Sequence, residues 1–248
     1  MDQGATPNHG SRVASRDGPT LREATVGALI VTVALGVVSD FLFVAAFQFR
    51  LDWFAAPAQL VMGGSGSAEI LKWAALADLF SYYLPTAVVA LALWAVFRGR
   101  RPILAAAALF GALGYVIAGS IGAASLAMVG PTLIREYSQP GADQAAIATA
   151  FGLLTDVVFR AVWQLVDGVF IAAWMIGIGL LVRTDQPAFA RLSRSLGVLF
   201  LVGAAFNVLG LGVARDATLG VVFVAWCAWD VWLAALVWRR RLPFGDRP

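Results

Sequence analysis

The sequence predicts an all-α integral membrane protein: a single bundle of six transmembrane helices, with both termini on the cytoplasmic side. Three observations carry that prediction. The chain is 60% hydrophobic and only 13% charged, about half the charge of an average soluble domain, which is roughly 25%. Its apolar residues are gathered into long runs instead of being spread at the period of a soluble amphipathic helix. Its cations fall on alternate connections between those runs, the asymmetry that cytoplasmic loops display.

Residues 1–22 are polar and rich in Gly, Pro and Ser, and read as a flexible cytoplasmic tail. The first span, about 24–48, is too long for a signal-peptide core of roughly 7 to 15 residues. Five more spans follow at about 73–97, 103–129, 158–182, 195–214 and 218–238. Each reaches the roughly 20 residues that cross a hydrocarbon core about 30 Å thick. Residues 23–238 thus make one transmembrane domain, and 239–248 a basic cytoplasmic tail. Thirteen of the 18 cations lie in four segments that share a side: Arg12, Arg16 and Arg22; Arg98, Arg100 and Arg101; Arg183, Arg191 and Arg194; Arg239, Arg240, Arg241 and Arg247. The opposite connections hold only Arg50, Lys72, Arg135 and Arg215, and Arg160 falls near the membrane edge. A lipid bilayer is therefore the first expected partner.

Both long connections on the Arg-poor side carry breakers. Gly63 to Ser67 (GGSGS) reads as a flexible stretch, and the chain after Gly130 is expected to break at Pro131 and again at Pro140-Gly141. An apparent helix restarts at Ala142 and leads towards span four. The third span carries small residues at four-residue spacing, Gly111, Gly119 and Ala123 beside Gly114, Ala118 and Gly122. Such faces let membrane helices approach closely, which places this helix at the centre of the bundle. Trp53, Trp73 and Trp238 sit where an interfacial aromatic belt is expected.

Five acids fall within or at the edge of the spans: Asp40, Asp78, Asp156, Asp167 and Asp230. A charge at the bilayer centre costs on the order of 2.5 to 3.5 kcal/mol by insertion scales, so such groups face the bundle interior or a wet cavity. Asp78, near the interface, is expected to be solvated. In the fourth span Asp156, Arg160, Trp163, Gln164 and Asp167 follow at i, i+4, i+7, i+8 and i+11, one stripe of an α-helix. Asp156 and Arg160 are spaced to pair, which leaves Asp167 needing another partner or a proton. Depth from the helical rise sets Asp40, Asp167 and Asn207 roughly 5 to 6 Å outward of the midplane, with Asp230 slightly on the cytoplasmic side. The candidate binding residues are therefore Asp40, Asp156, Arg160, Gln164, Asp167, Asn207 and Asp230, with one shared pocket in the outer half of the membrane as the expectation. A set of structural hydrogen bonds between helices accounts for the same residues.

One internal echo links two of these acids. Asp40, followed by Phe43-Val44-Ala45-Ala46-Phe47, resembles Asp167, followed by Phe170-Ile171-Ala172-Ala173-Trp174. An inverted repeat of three plus three helices produces such a match, although both acids then fall in the outer half, where inversion calls for opposite depths.

Other chemistries lack their residues. His9, the single histidine, lies in the polar tail, and Cys227, the single cysteine, lies in an apolar run. Histidine-based metal sites, histidine-activated nucleophiles and an internal disulfide are thereby excluded. No basic stripe interleaved with aromatics is present, so nucleic acid is not an expected partner. Gly64-Ser65-Gly66 has no histidine base to make a serine nucleophile. Neither a P-loop nor a dinucleotide fingerprint occurs. No catalytic residue, metal ligand or cofactor is expected.

The stretch LKWAALADLFSYYLPTAVVALALWAVFR, the following LAAAALFGALGYVIAGSIGAASL, and the run from Trp163 through GIGLLVRTDQPAFARLSRSLGVLFLVGAAFNVLG resemble the bacterial domain-of-unknown-function 4386 family. That resemblance covers roughly 71–210 and implies a six-helix bacterial membrane protein; it supplies no activity. Three functional readings stay open. The first is binding or transport of a small molecule or ion in a polar cavity, with Asp167 exchanging a proton or cation. The second is a non-catalytic membrane scaffold or sensor partner whose stripe pins helices together. The third is a membrane-embedded enzyme using paired Asp carboxyls.

Overall fold

The computed structural model describes residues 17–50, 52–242 and 244, and all its regular structure is helical. Six helices are long and apolar enough to cross a membrane. They are named here α1 (Asp17–Ala46), α2 (Pro57–Phe97), α3 (Pro102–Tyr137), α4 (Gln144–Leu181), α5 (Pro187–Val208) and α6 (Gly212–Trp238). Most of the expected tails, 1–16 and 245–248, lie outside the described residues.

Each helix packs chiefly against its neighbours in sequence, and α6 closes the ring against α1. The small-residue helix α3 is accordingly one stave of the ring, held between α2 and α4, and not its centre. Its glycines do serve close approach. A Cβ on Gly111 would stand 2.8 Å from the Trp174 amide nitrogen and 2.9 Å from the Phe170 carbonyl, both backbone atoms of α4. Gly177 of α4 returns the contact on Ala108 of α3 at 2.6 Å. The ring's interior is filled by aromatics: Tyr83, Tyr115, Trp174 and Trp229 are buried, while Phe110, Ile117, Ile121 and Met128 of α3 point outward, each more than 60% exposed.

The two ends differ. At the Arg-rich end, Arg100 pairs with Asp185 at 3.0 Å, Arg101 donates to the Leu180 carbonyl, and Gln186 donates to the Arg241 carbonyl. At the other end Gln48 donates to the Gly63 carbonyl and to Ser67 Oγ, and Arg135 reaches Glu69 at 3.8 Å.

Several helix limits depart from the sequence expectation. Gly64 to Ser67 opens a helix instead of forming a flexible loop; the positive φ of Gly64 (76°) supplies the bend that starts it. Pro131 does not break α3, which continues six residues to Tyr137. Proline removes one amide from the ladder, and the Thr132 hydroxyl donates nearby to the Met128 carbonyl. α5 runs from Pro187 to Val208, several residues earlier than 195–214, because Gly210 at φ 71° makes a tight turn inside an apolar stretch that gives hydropathy nothing to read. Trp53 is buried beneath Arg50, whose guanidinium lies 4.6 Å from its ring, and so is no belt residue. Cys227 is half-buried.

The α3–α4 contact is testable. Gly111→Ala should lower the thermal unfolding midpoint of the detergent-solubilised protein, by the equivalent of about 1 to 3 kcal/mol for overpacking against backbone. Gly220→Ala, where a Cβ meets nothing within 4 Å, should leave the midpoint unchanged or raise it.

Candidate functional site

The polar residues of α4 are set by a change of helical register. Between Asp156 and Val166 the helix widens into a π-helical stretch, and it resumes α geometry at Asp167. Widening leaves some carbonyls without their usual partner; that of Arg160 is taken by Asn207 Nδ2 of α5 at 2.8 Å. The expected single stripe therefore divides. Asp156, Arg160 and Gln164 line a pocket of about 350 Å³ at the Arg-poor end, together with Arg215 from the first turn of α6 and Ala58 before α2's main segment. Trp163 and Asp167 turn into the ring instead. Trp163 Nε1 points at the Gly119 carbonyl at 3.5 Å, and its ring meets Phe43 and Phe159 edge-on.

The expected pairing of Asp156 with Arg160 is present but loose, at 3.6 Å with both side chains more than half exposed. Asp167 is buried, and its partner is one the sequence reading did not name: the Tyr83 hydroxyl donates to Oδ2 at 3.2 Å. The other oxygen, Oδ1, is sealed from solvent with no hydrogen-bond partner among the described residues. Tyr83 enters from α2 across α3, through the notch that Gly119 leaves. A Cβ on Gly119 would overlap the Tyr83 ring and lie 2.6 Å from Oδ2 of Asp167.

Asp78 lies close to Tyr83 as well. It is not solvated at an interface: the residue is half-buried, and its Oδ2 is enclosed without a partner among the described residues. Between Asp78 and Tyr83 a second π-helical turn, Leu79–Tyr83, precedes Pro85. Proline has no amide to continue the ladder, and local hydroxyls take up the slack: Thr86 donates to the Tyr82 carbonyl at 2.6 Å and Ser81 to that of Asp78 at 3.2 Å. Tyr82 and Tyr83, adjacent in this turn, have separate partners. Tyr82 donates to Asp40 Oδ2 of α1 at 3.0 Å, in a place where Gly36 leaves room for its hydroxyl.

The seven candidates do not form one pocket. Asp156, Arg160 and Gln164 share the mouth at the Arg-poor end, and Asn207 stands behind it on the Arg160 carbonyl. Asp40 and Asp167 belong to the tyrosine pair inside the ring. Asp230 is buried elsewhere, beside a cavity of about 10 Å³, the size of one water, with Thr32, Thr86 and Trp226. Tyr82 and Tyr83 were the residues missed. Their signal was a pair of adjacent tyrosines, four and five residues beyond Asp78 and just before Leu84-Pro85, in a largely apolar run. No family model, curated protein or solved structure matches the chain.

The Tyr83–Asp167 bond is testable by a double-mutant cycle on unfolding of the purified protein. Tyr83→Phe and Asp167→Leu should be non-additive. The expected coupling is about 1 kcal/mol, within the range of interhelical hydrogen bonds in membranes, which average roughly 0.6 and reach about 1.7. Additive effects would mean that the hydroxyl and the carboxyl do not hold one another.

Proposed function

We propose that this is a multi-pass protein of a bacterial cytoplasmic membrane that binds or transports a small molecule or ion through the polar mouth. In this reading Asp167 exchanges a proton or cation. The observation that carries it is Oδ1 of Asp167, a buried carboxyl oxygen without a partner, three residues beyond Gln164 of the mouth. An acid in such a setting is retained at a cost that packing alone does not require. Both termini are assigned to the cytoplasm, because the Arg-rich end carries thirteen of the cations. The outward-facing apolar side chains of α3 support a lipid environment. Membership of the domain-of-unknown-function 4386 family is proposed on the quoted stretches alone.

A second reading, a non-catalytic scaffold or sensor partner, is favoured by the bonds that tie helices together: Asn207 to the Arg160 carbonyl and Tyr83 to Asp167. Thiol accessibility separates the two. In a Cys227→Ala background, Ser65→Cys, Gln164→Cys and Asp167→Cys are challenged in intact cells with a membrane-impermeant reagent. Binding and transport expect all three to react, position 167 most slowly. A silent Asp167→Cys beside a reactive Ser65→Cys favours the sealed scaffold. A Ser65→Cys that reacts only after the cells are permeabilised reverses the assigned orientation.

A further inference from the structure

We infer that the mouth is an oxyanion site, shaped for the carboxylate or phosphate group of a small solute or a phospholipid headgroup. The inference rests on the mouth being a binding site and names the ligand class it takes. Its volume of about 350 Å³ is at the small end of ligand pockets, which span roughly 300 to 1,000 Å³. That is room for a small molecule or a headgroup.

Charge decides the class. Two guanidiniums and one carboxylate line the pocket, those of Arg160, Arg215 and Asp156. Neither arginine is fully occupied. The 3.6 Å separation of Arg160 from Asp156 exceeds a hydrogen bond, and the Arg160 side chain is 53% exposed. The Arg215 side chain is only 12% exposed, with Nε donating to Asp216 at 2.8 Å; its two terminal nitrogens make no hydrogen bond among the described residues. Planar guanidiniums with free terminal nitrogens match carboxylate and phosphate oxygens in pairs. The start of α6 adds its dipole. Gly212 lines the pocket at the positive end of a 27-residue helix, although its own amide is taken by the Gly210 carbonyl at 3.1 Å.

Gln164 lies on the same wall, with Oε1 buried and without a partner among the described residues. That oxygen is closed off from the pocket, and the acceptor the pocket presents is Asp156, 62% exposed. Freed from Arg160 when the guanidinium turns to the ligand, it favours an oxyanion that also carries a hydroxyl or ammonium hydrogen.

The test uses the purified full-length chain with Cys227→Ala and a reporter at Ala58→Cys, a lining residue that makes no polar contact with a ligand. Its reaction rates with an anionic sulfonate thiol reagent and a cationic ammonium one are compared with those of Ser65→Cys at the same end. The anionic preference at Ala58→Cys should exceed that at Ser65→Cys by about tenfold or more, as charged clefts concentrate counter-ions. Arg160→Gln and Arg215→Gln should each reduce it, and Arg160→Lys should retain most of it. With an uncharged reagent, inorganic phosphate should slow labelling of Ala58→Cys. Protection by phosphate in detergent identifies a soluble anion; protection seen only in phosphatidylglycerol vesicles identifies a headgroup. Equal preference at the two positions, indifference to both Gln variants, or no protection from either source overturns the proposal. The outcome is separable from the wider reading. A sealed Asp167→Cys with an anion-selective mouth removes proton or cation exchange and keeps the oxyanion site, and the reverse pattern removes only the site.

Discussion

The hydroxyl of Tyr83 is the contact on which the interior arrangement depends. It carries a donor from α2 across α3 to a carboxyl of α4, and it does so because Gly119 has no side chain in its path. A polar group in an apolar interior is costly unless bonded, so placing Asp167 here constrains three helices together. α2 must present a tyrosine at this level, α3 must be bare, and α4 must return to α geometry at Asp167. Tyr82 repeats the device one residue earlier, with Asp40 of α1 and the bare position at Gly36. Adjacent tyrosines thereby address two acids on two different helices, since successive helical residues point about 100° apart at nearly one level.

The π-helical stretches belong to the same economy of unpaired groups. Each adjoins an acid with an enclosed carboxyl oxygen: Leu79–Tyr83 follows Asp78, and Asp156–Val166 precedes Asp167. Widened turns release carbonyls, and the chain answers with nearby donors, Thr86 and Ser81 in α2 and Asn207 from α5. Asn207 consequently has a structural duty at Arg160 that its polarity alone, read as a ligand contact, does not reveal. The change of register in α4 also separates mouth from interior: Arg160 and Gln164 face the pocket, while Trp163 and Asp167 face α3.

Long apolar runs made the six helices legible, since length and hydropathy are properties of a segment by itself. The Asp156–Arg160 pair was legible for the same reason, being four residues apart on one helix. What escaped depended on partners far along the chain or on backbone geometry. Pro131 read as a break because proline costs one hydrogen bond, but neighbours near a helix end tolerate that cost. The turn at Gly210 lies in apolar sequence and has no polar flag. The small residues of α3 announced close packing correctly and its place incorrectly, because a glycine face states how near a neighbour comes and not how many neighbours there are. The shared pocket failed on periodicity: eleven residues of π helix between Asp156 and Val166 put the stripe on two surfaces instead of one.

The ring order of the helices has a consequence for biogenesis. Every principal interface but one joins segments consecutive in the chain, so each newly inserted helix finds its main partner already in place. Growth can proceed as a curling sheet of helices, with little search and few competing pairings. The exception is the seam between α1 and α6, which waits for the last segment to emerge. Until α6 arrives, the Tyr82 ring that bonds Asp40 lacks the cover of Phe223 and Trp226, and the aromatic filling contributed by Trp229 is missing. Truncation before Gly212 would leave an open arc, with the interior uncovered between α1 and α5.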